Sequence, residues 1–219
     1  VIIIVLEIYG PIDWEHVLMS DINPLVNIIT RTHRPEYFAV LEESILSQTY
    51  QNINHLMCVD DEDSLKYIKD YSHILVEKKV MGLDGSFPYN LYFNEAYDHI
   101  KDGWVLFLDD DDKFFTSGSL DILVSHIRKH PRNTLFLWNV WFPDCGCTIP
   151  RYCFGKEPVQ CDISGIGFCF HSKYLKEAIW DENKEADYRV IKKLYDFLPN
   201  RVWISDILTR LQVGQHYGK

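Results

Sequence analysis

Four consecutive aspartates, Asp109 to Asp112, follow directly on the apolar run Val105–Leu108 in "VLFLDDDDKF". Carboxylates this close raise one another's pKa and destabilise a fold unless positive charge neutralises them. Along the chain the only nearby cation is Lys113. Carboxylates are hard oxygen ligands suited to Mg²⁺ or Mn²⁺, and Mg²⁺ takes one or two of them together with substrate phosphates. An Asp-x-Asp at the end of a strand therefore fits a divalent cation bridging protein to a diphosphate. A second acidic cluster, "VDDED" at 59–63, ends another apolar run. An EF-hand calcium loop starting at Asp109 fails, because Phe114 stands where Gly is needed and Leu120 where Glu is needed. No P-loop and no G-x-G-x-x-G is present.

Both acidic clusters need strands to carry them. The β-branched run at 25–32 reads as a strand, and "PEYFAVLEESILSQ" (35–48) as a helix. In that helix Phe38, Leu41, Ile45 and Leu46 fall at helical spacing, and Pro35 suits the first turn. A strand at 53–61, a short helix at 62–71 and a strand at 72–78 follow. A Gly-containing loop spans 81–87, a helix 88–102, and the strand 103–112 ends in the aspartates. Strands interleaved with helices at this spacing imply βαβ units and a mostly parallel sheet. Ligands bind beyond the carboxyl ends of such strands, where both acidic clusters fall. Side chains alternate along an extended chain, so Asp109 and Asp111 would face one way, Asp110 and Asp112 the other.

Later the rhythm is less regular. A helix at 117–130 carries its stripe at Leu120, Leu123, Val124 and Ile127. A strand at 133–142, a loop at 143–161, a strand at 165–173 and a helical stretch from 174 follow. We see no repeat and no linker, and expect one α/β domain over 1–219. Residues 25–115 form its nucleotide-binding-like half and 116–219 its second half.

Composition is ordinary: 219 residues, 47% hydrophobic and 25% charged. That length suits one domain with a sizeable core. A net charge of −10 disfavours nucleic acid as a partner. The apolar start "VIIIVLEIYG" is interrupted by Glu7 and falls short of the roughly 20 apolar residues that span a bilayer, so it reads as a buried strand. The expected location is the cytoplasm. Five of the six cysteines lie between Cys145 and Cys169, spaced C-x-C-x5-C-x7-C-x7-C, without the C-x2-C pairs of common zinc sites. Reduced thiols are expected.

The stretch "VNIITRTHRPEYFAVLEESILSQTYQNINHLMCVDDED" resembles the opening of family 2 inverting glycosyltransferases of GT-A fold, and "FLDDDD" follows at the family's distance. The resemblance covers about residues 25–113 well and 160–190 loosely. It also suggests the capsid-glycosylating transferases of large algal viruses, with the host cytosol as location and a longer multidomain chain around this one. It implies a single Rossmann-like GT-A domain with a mostly parallel mixed sheet flanked by helices. It further implies Mn²⁺ or Mg²⁺, a UDP-sugar donor and a glycan or glycoprotein acceptor.

Carried over by position, Thr30 and Thr32 line the uracil and ribose pocket, and Arg31 between them reaches the nucleotide. Asp61 hydrogen-bonds the uracil, and Asn94 matches the Asn of the helix before the metal motif. Asp111 is the direct metal ligand, with Asp109 or Asp110 on the ribose or a metal-bound water. "WDENKEADYRVIKKL" (180–194) resembles the family's acidic motif opening a helix, which places the general base at Asp187, with Glu185 as alternative. Two departures stand out. The usual Glu-Asp pair reads Ala186-Asp187. The Arg that touches the diphosphate is missing near Pro88 and Phe93, so Arg31, Arg34, Lys78 or Lys79 would substitute.

Trp138, Trp141, Trp180 and His171 are candidate sugar-facing residues, although core packing is the commoner role for each taken singly. The glycines of "SGIGF" (164–168) would let backbone approach the donor sugar, and His216 is a candidate to close over the site. Three other readings remain. A haloacid-dehalogenase-like phosphohydrolase also uses strand-borne Asp-x-Asp, but carries Thr or Val where Lys113 stands. A sugar nucleotidyltransferase needs glycines that "TRTHRP" lacks. A non-catalytic nucleotide-sugar-binding domain would bind donor without turnover.

Overall fold

The first strand, β1 (Val26–Arg31), is buried along almost its whole length. It lies between two parallel neighbours, β2 (Ile53–Val59) and β4 (Trp104–Phe107), and β2 pairs in parallel with β3 (His73–Leu75). A strand flanked on both edges and covered on both faces must be apolar throughout, as "VNIIT" nearly is. These elements belong to a computed structural model describing residues 22–68, 70–79 and 86–212.

The remaining strands extend the same sheet. They are β5 (Asp112–Phe114), β6 (Thr134–Phe142), β7 (Cys147–Ile149), β8 (Phe168–His171) and β9 (Asn200–Leu211). The order is β3-β2-β1-β4-β8-β6-β9-β5, with β7 on β6. β8 runs antiparallel to β4 and β6, β7 to β6 and β5 to β9, whereas β6 and β9 are parallel. This is the mixed α/β sheet flanked by helices that the sequence implies.

Helices cover both faces. α1 (Pro35–Leu46) and α4 (Ser119–Ile127) pack with Val26, Ile28, Leu106 and Phe136 on one face. α3 (Tyr92–Ala96) and α5 (Ala186–Phe197) pack with Ile29, Phe107, Leu137 and Phe170 on the other. α2 (Leu65–Ile68) is one short turn. The α4 stripe is as read from the sequence, but in α1 Leu46 is exposed while Phe38, Leu41 and Ile45 are buried. The Gln of "ESILSQTY" ties three segments together. The Gln48 Nε2 donates to Ser44 O and Thr116 O, and its Oε1 accepts from the Leu120 N–H opening α4.

Several expectations change. The strand expected at 103–112 ends at Phe107, the helix expected at 62–71 is the single turn α2, and the loop expected at 143–161 contains β7. The helix expected at 88–102 is a 3₁₀ turn (Pro88–Leu91), then α3, then a second 3₁₀ turn (Tyr97–His99). The stretch from 174 is also 3₁₀, over Ser172–Glu177. The strand expected at 1–10, most of the loop at 81–87, and His216 lie outside the described residues. Among those described, no helix is long and apolar enough to cross a membrane.

Candidate active site

The aspartate turn sits where β4 leaves the sheet. Leu108 N–H still donates to Ile29 O and Asp110 N–H to Arg31 O, so the turn stays stitched to β1. Burial alternates, with Asp110 and Asp112 buried and Asp109 and Asp111 partly exposed, but the expected opposite facing fails: the chain turns after Phe107 instead of running extended, which brings the Asp112 carboxylate to the side of Asp109 and Asp111. Asp112 Oδ2 accepts the Asp109 N–H at 3.2 Å, closing the turn before β5. From the far end of β9, Gln212 donates its N–H to Asp111 O and its Nε2 to Asp110 O.

The positive charge that the chain sequence lacks near the aspartates comes from the end of β1. Arg31 forks both oxygens of Asp109, with Nε 2.8 Å from Oδ1 and Nη2 on Oδ2. Its Nη1 donates to Asn90 Oδ1 at 3.0 Å, and its guanidinium lies 4.4 Å from the centre of the Phe93 ring, a cation–π contact. Arg34 reaches Asp110 Oδ1 through Nε and Nη2, and Asp111 Oδ2 through Nη1 at 2.6 Å. Asp110 Oδ2 accepts the backbone N–H groups of His33 and Arg34, both at 3.0 Å, at the start of α1, where the helix dipole favours an anion. Asp110 is thus a buried brace between β4 and α1.

One carboxylate oxygen from each of Asp109, Asp111 and Asp112 can lie within 4.8 Å of the others, the one such three-residue group among the described residues. Burial, then Asp109, raises the Asp111 pKa, and Arg34 offsets part of this. Burial and its acidic neighbours push Asp112 well above the ordinary carboxylate range. A divalent cation would relieve this crowding, and an all-carboxylate donor set fits a hard ion. Asp109 would share it with Arg31.

The other expected nucleotide residues sit as follows. The buried Thr30 hydroxyl is 2.9 Å from His55 Nε2, and the buried Thr32 hydroxyl 3.0 Å from Tyr67 OH. Both threonine side chains are thus held within the fold. Asp61 accepts the Ser64 N–H at 2.6 Å, which with other contacts lowers its pKa. Its neighbour Asp60 accepts from Tyr92 OH at 2.6 Å. Asn94 clamps residue 180 at both ends of its amide: Nδ2 donates to Trp180 O, and Oδ1 accepts the Trp180 N–H. Asn90, four residues earlier, is the Asn that holds Arg31 against the aspartate turn, and its Nδ2 donates to Asn183 O at 3.0 Å. Sequence reasoning passed over Asn90, since nothing in "PYNLYFN" distinguishes the two. Lys79 Nζ pairs with Glu95.

Asp187 lies in the first turn of α5 and is partly buried. Its Oδ1 accepts its own helix's Tyr188 N–H at 2.8 Å, and the Gly165 backbone N–H lies near enough to favour its charged form. Burial raises its pKa. A Cβ on Gly165 would stand 3.3 Å from Asp187 Cβ, so glycine is what lets this loop approach. Because β4 and β8 are antiparallel, with Val105 opposite Phe170, the carboxyl end of β4 faces the entry to β8. Gly165 and Asp187 therefore lie at the same end of the sheet as the aspartate turn. Arg31, Asn90 and Asn183 form a hydrogen-bonded path from the turn to the loop that precedes α5. Glu185, the alternative base, is exposed, left-handed in backbone, and accepts from Gln160 and Cys161.

Three candidate sugar-facing residues belong to the core. Trp138 donates to Thr209 Oγ1, Trp180 donates to Tyr97 OH beneath Phe93 and Phe107, and His171 is buried against Trp104. Trp141 is half-exposed on β6, opposite Thr148 and Arg210. The expectation of reduced thiols fails for Cys145 and Cys147, which are joined by a disulfide. Cys58, Cys153 and Cys169 are buried free thiols, and Cys161 is exposed and free.

No protein-family model matches the chain, and no curated protein matches it by sequence. Solved structures match in fold. S. aureus TarS has a TM-score of 0.68 at 16% identity, covering 86% of this chain and 37% of TarS. TarS 1–349 in complex with UDP-GlcNAc has a TM-score of 0.69 at 16% identity, covering 89% of this chain and 60% of that one. The mannosyltransferase PcManGT from Pyrobaculum calidifontis, in complex with GDP-Man and Mn²⁺, has 0.63 at 15% identity, covering 89% and 59%. The chain spans 37% to 60% of the lengths of these three. At this identity the likeness is one of fold: the chain has the α/β architecture of these structures.

Proposed function

We propose that this chain is a metal-dependent inverting glycosyltransferase domain, moving a sugar from a UDP-sugar to a hydroxyl of a glycan or glycoprotein. One observation carries the reading. The aspartate turn, with Arg31 and Arg34 against it, shares one end of the sheet with a partly buried Asp187 held at a helix N-terminus. The shared fold with nucleotide-sugar complexes supports it.

In this reading Asp61 receives the uracil, and Thr30 and Thr32 shape the pocket floor beneath it. Arg31 and Arg34 face the diphosphate. Asp111 and Asp109, with Asp112 behind, would hold a divalent cation, which when bound would supply Lewis-acid neutralisation of the leaving diphosphate. The acceptor hydroxyl attacks the anomeric carbon from the opposite face. Its proton passes to the Asp187 carboxylate as the carbon–oxygen bond to UDP breaks and that electron pair leaves with the diphosphate. One displacement inverts the centre without a covalent intermediate. Burial raises the Asp187 pKa, which strengthens it as a base.

The test is to incubate the protein with UDP-sugars, Mn²⁺ and a panel of glycan acceptors. UDP and a glycosylated product with inverted anomeric configuration are expected. Release of inorganic phosphate without transfer would support a phosphohydrolase instead. Donor binding with no turnover on any acceptor would support a binding module.

A further inference from the structure

The two arginines at the aspartate turn are held differently. Arg31 is 17% exposed in its side chain and fully committed, to both oxygens of Asp109, to Asn90 and to the Phe93 face. Arg34 is 33% exposed and straddles two acids. Its Nε and Nη2 grip Oδ1 of the buried Asp110, which the His33 and Arg34 N–H groups hold in place. Only Nη1 reaches Asp111 Oδ2, at 2.6 Å. A small rotation about the Asp110 anchor would lift Nη1 off Asp111 Oδ2 and turn the same guanidinium edge outward, towards the space above the turn.

We propose that Arg34 is a positioning residue that makes divalent-cation binding at Asp111 conditional on a diphosphate. This rests on the transferase reading above. Without nucleotide, the Nη1 proton sits on the carboxylate oxygen that a cation needs, and the two positive charges compete for it. A diphosphate offers the planar guanidinium a pair of anionic oxygens to bind bidentately, so Nη1 leaves Asp111 as the phosphates arrive. Cation and nucleotide then each raise the other's affinity by the same factor, as linkage requires. Asp110 keeps the Arg34 stem in register through the exchange, which accounts for a buried acid beside the ligand that does not itself face the ion.

The experiment measures Mn²⁺ affinity by electron paramagnetic resonance, with and without UDP, in the wild type, Arg34→Gln and Arg34→Lys. Glutamine keeps a donor for Asp110 and loses the charge. Lysine keeps the charge and loses the fork. Circular dichroism melts of each variant establish that it is folded. In the wild type UDP should tighten Mn²⁺ binding by about tenfold or more. In Arg34→Gln, Mn²⁺ alone should bind about tenfold tighter than in the wild type, and the UDP enhancement should shrink towards unity. Arg34→Lys should fall between. A folded Arg34→Gln that binds Mn²⁺ alone no tighter than the wild type, with the UDP enhancement intact, would overturn the gating role and leave the transferase reading standing. Absence of Mn²⁺ binding to the wild type even with UDP would overturn both.

Discussion

Asp187 is where the chemistry can be tested one atom at a time. Replacing its carboxylate with an amide keeps an acceptor for the Tyr188 N–H but removes the base. Asp187→Asn should lower turnover by about 10²- to 10⁴-fold while leaving UDP affinity close to wild type. The raised Asp187 pKa also has a signature in the wild type. The base works deprotonated, so turnover should fall as pH drops, with its acid limb displaced upward from that of a solvent-exposed aspartate. An acid limb with no upward displacement, or an active Asp187→Asn, would move the base elsewhere, with Glu185 the next to test.

At the scale of elements, the aspartate turn depends on how β4 enters the sheet. Gly103 has φ of +99°, and a Cβ there would lie 2.6 Å from Leu25 O and 2.9 Å from Asn27 Nδ2. Gly103→Ala should destabilise the protein by about 2–4 kcal/mol in urea unfolding. It should also weaken UDP binding, because β4 positions Asp109. A neutral Gly103→Ala would mean that the start of β4 is free to move.

β1 and β4 are legible as apolar runs because both their flanks are covered, β2 because its second half is buried, and α4 because one face carries a buried stripe. β9 was missed, although it is 12 residues long, because its alternation breaks at Ser205-Asp206, where the β6 pairing slips register. The helix at 88–102 was overdrawn because its apolar spacing survives the two 3₁₀ turns that interrupt it. The site was legible as acids at strand ends. What lay hidden was long-range: Arg31 and Arg34 are about 78 residues from the acids they neutralise. Equally hidden was the choice of Asn90 over Asn94, which depends on which face of a broken helix turns to β1.

For the molecule as a whole, buried titratable groups set how stability varies with pH. His55 sits against the Thr30 hydroxyl, and burial lowers its pKa to about 4. The unfolded chain takes up that proton near pH 6.5. The contribution is therefore fully present above about pH 6.5 and is lost as pH falls towards 4, because the unfolded state then binds the proton and the folded state does not. With part of the ring exposed, the effect should be roughly 1–2 kcal/mol. Urea unfolding of the wild type and His55→Gln should show a flatter pH slope in the variant over this window. Identical slopes would mean that His55 takes up its proton without cost in the folded state.

The central claim is that the aspartate turn holds a cation and a nucleotide diphosphate together, with Asp111 as the direct ligand. Isothermal titration of UDP into the wild type and Asp111→Ala, each with Mn²⁺ and with a chelator, tests it most directly. Mn²⁺-dependent UDP binding is predicted in the wild type, weakened in Asp111→Ala by at least the roughly 10- to 100-fold that loss of an outer-shell partner costs a metal site. UDP binding indifferent to Mn²⁺, or equally strong in Asp111→Ala, would contradict the account.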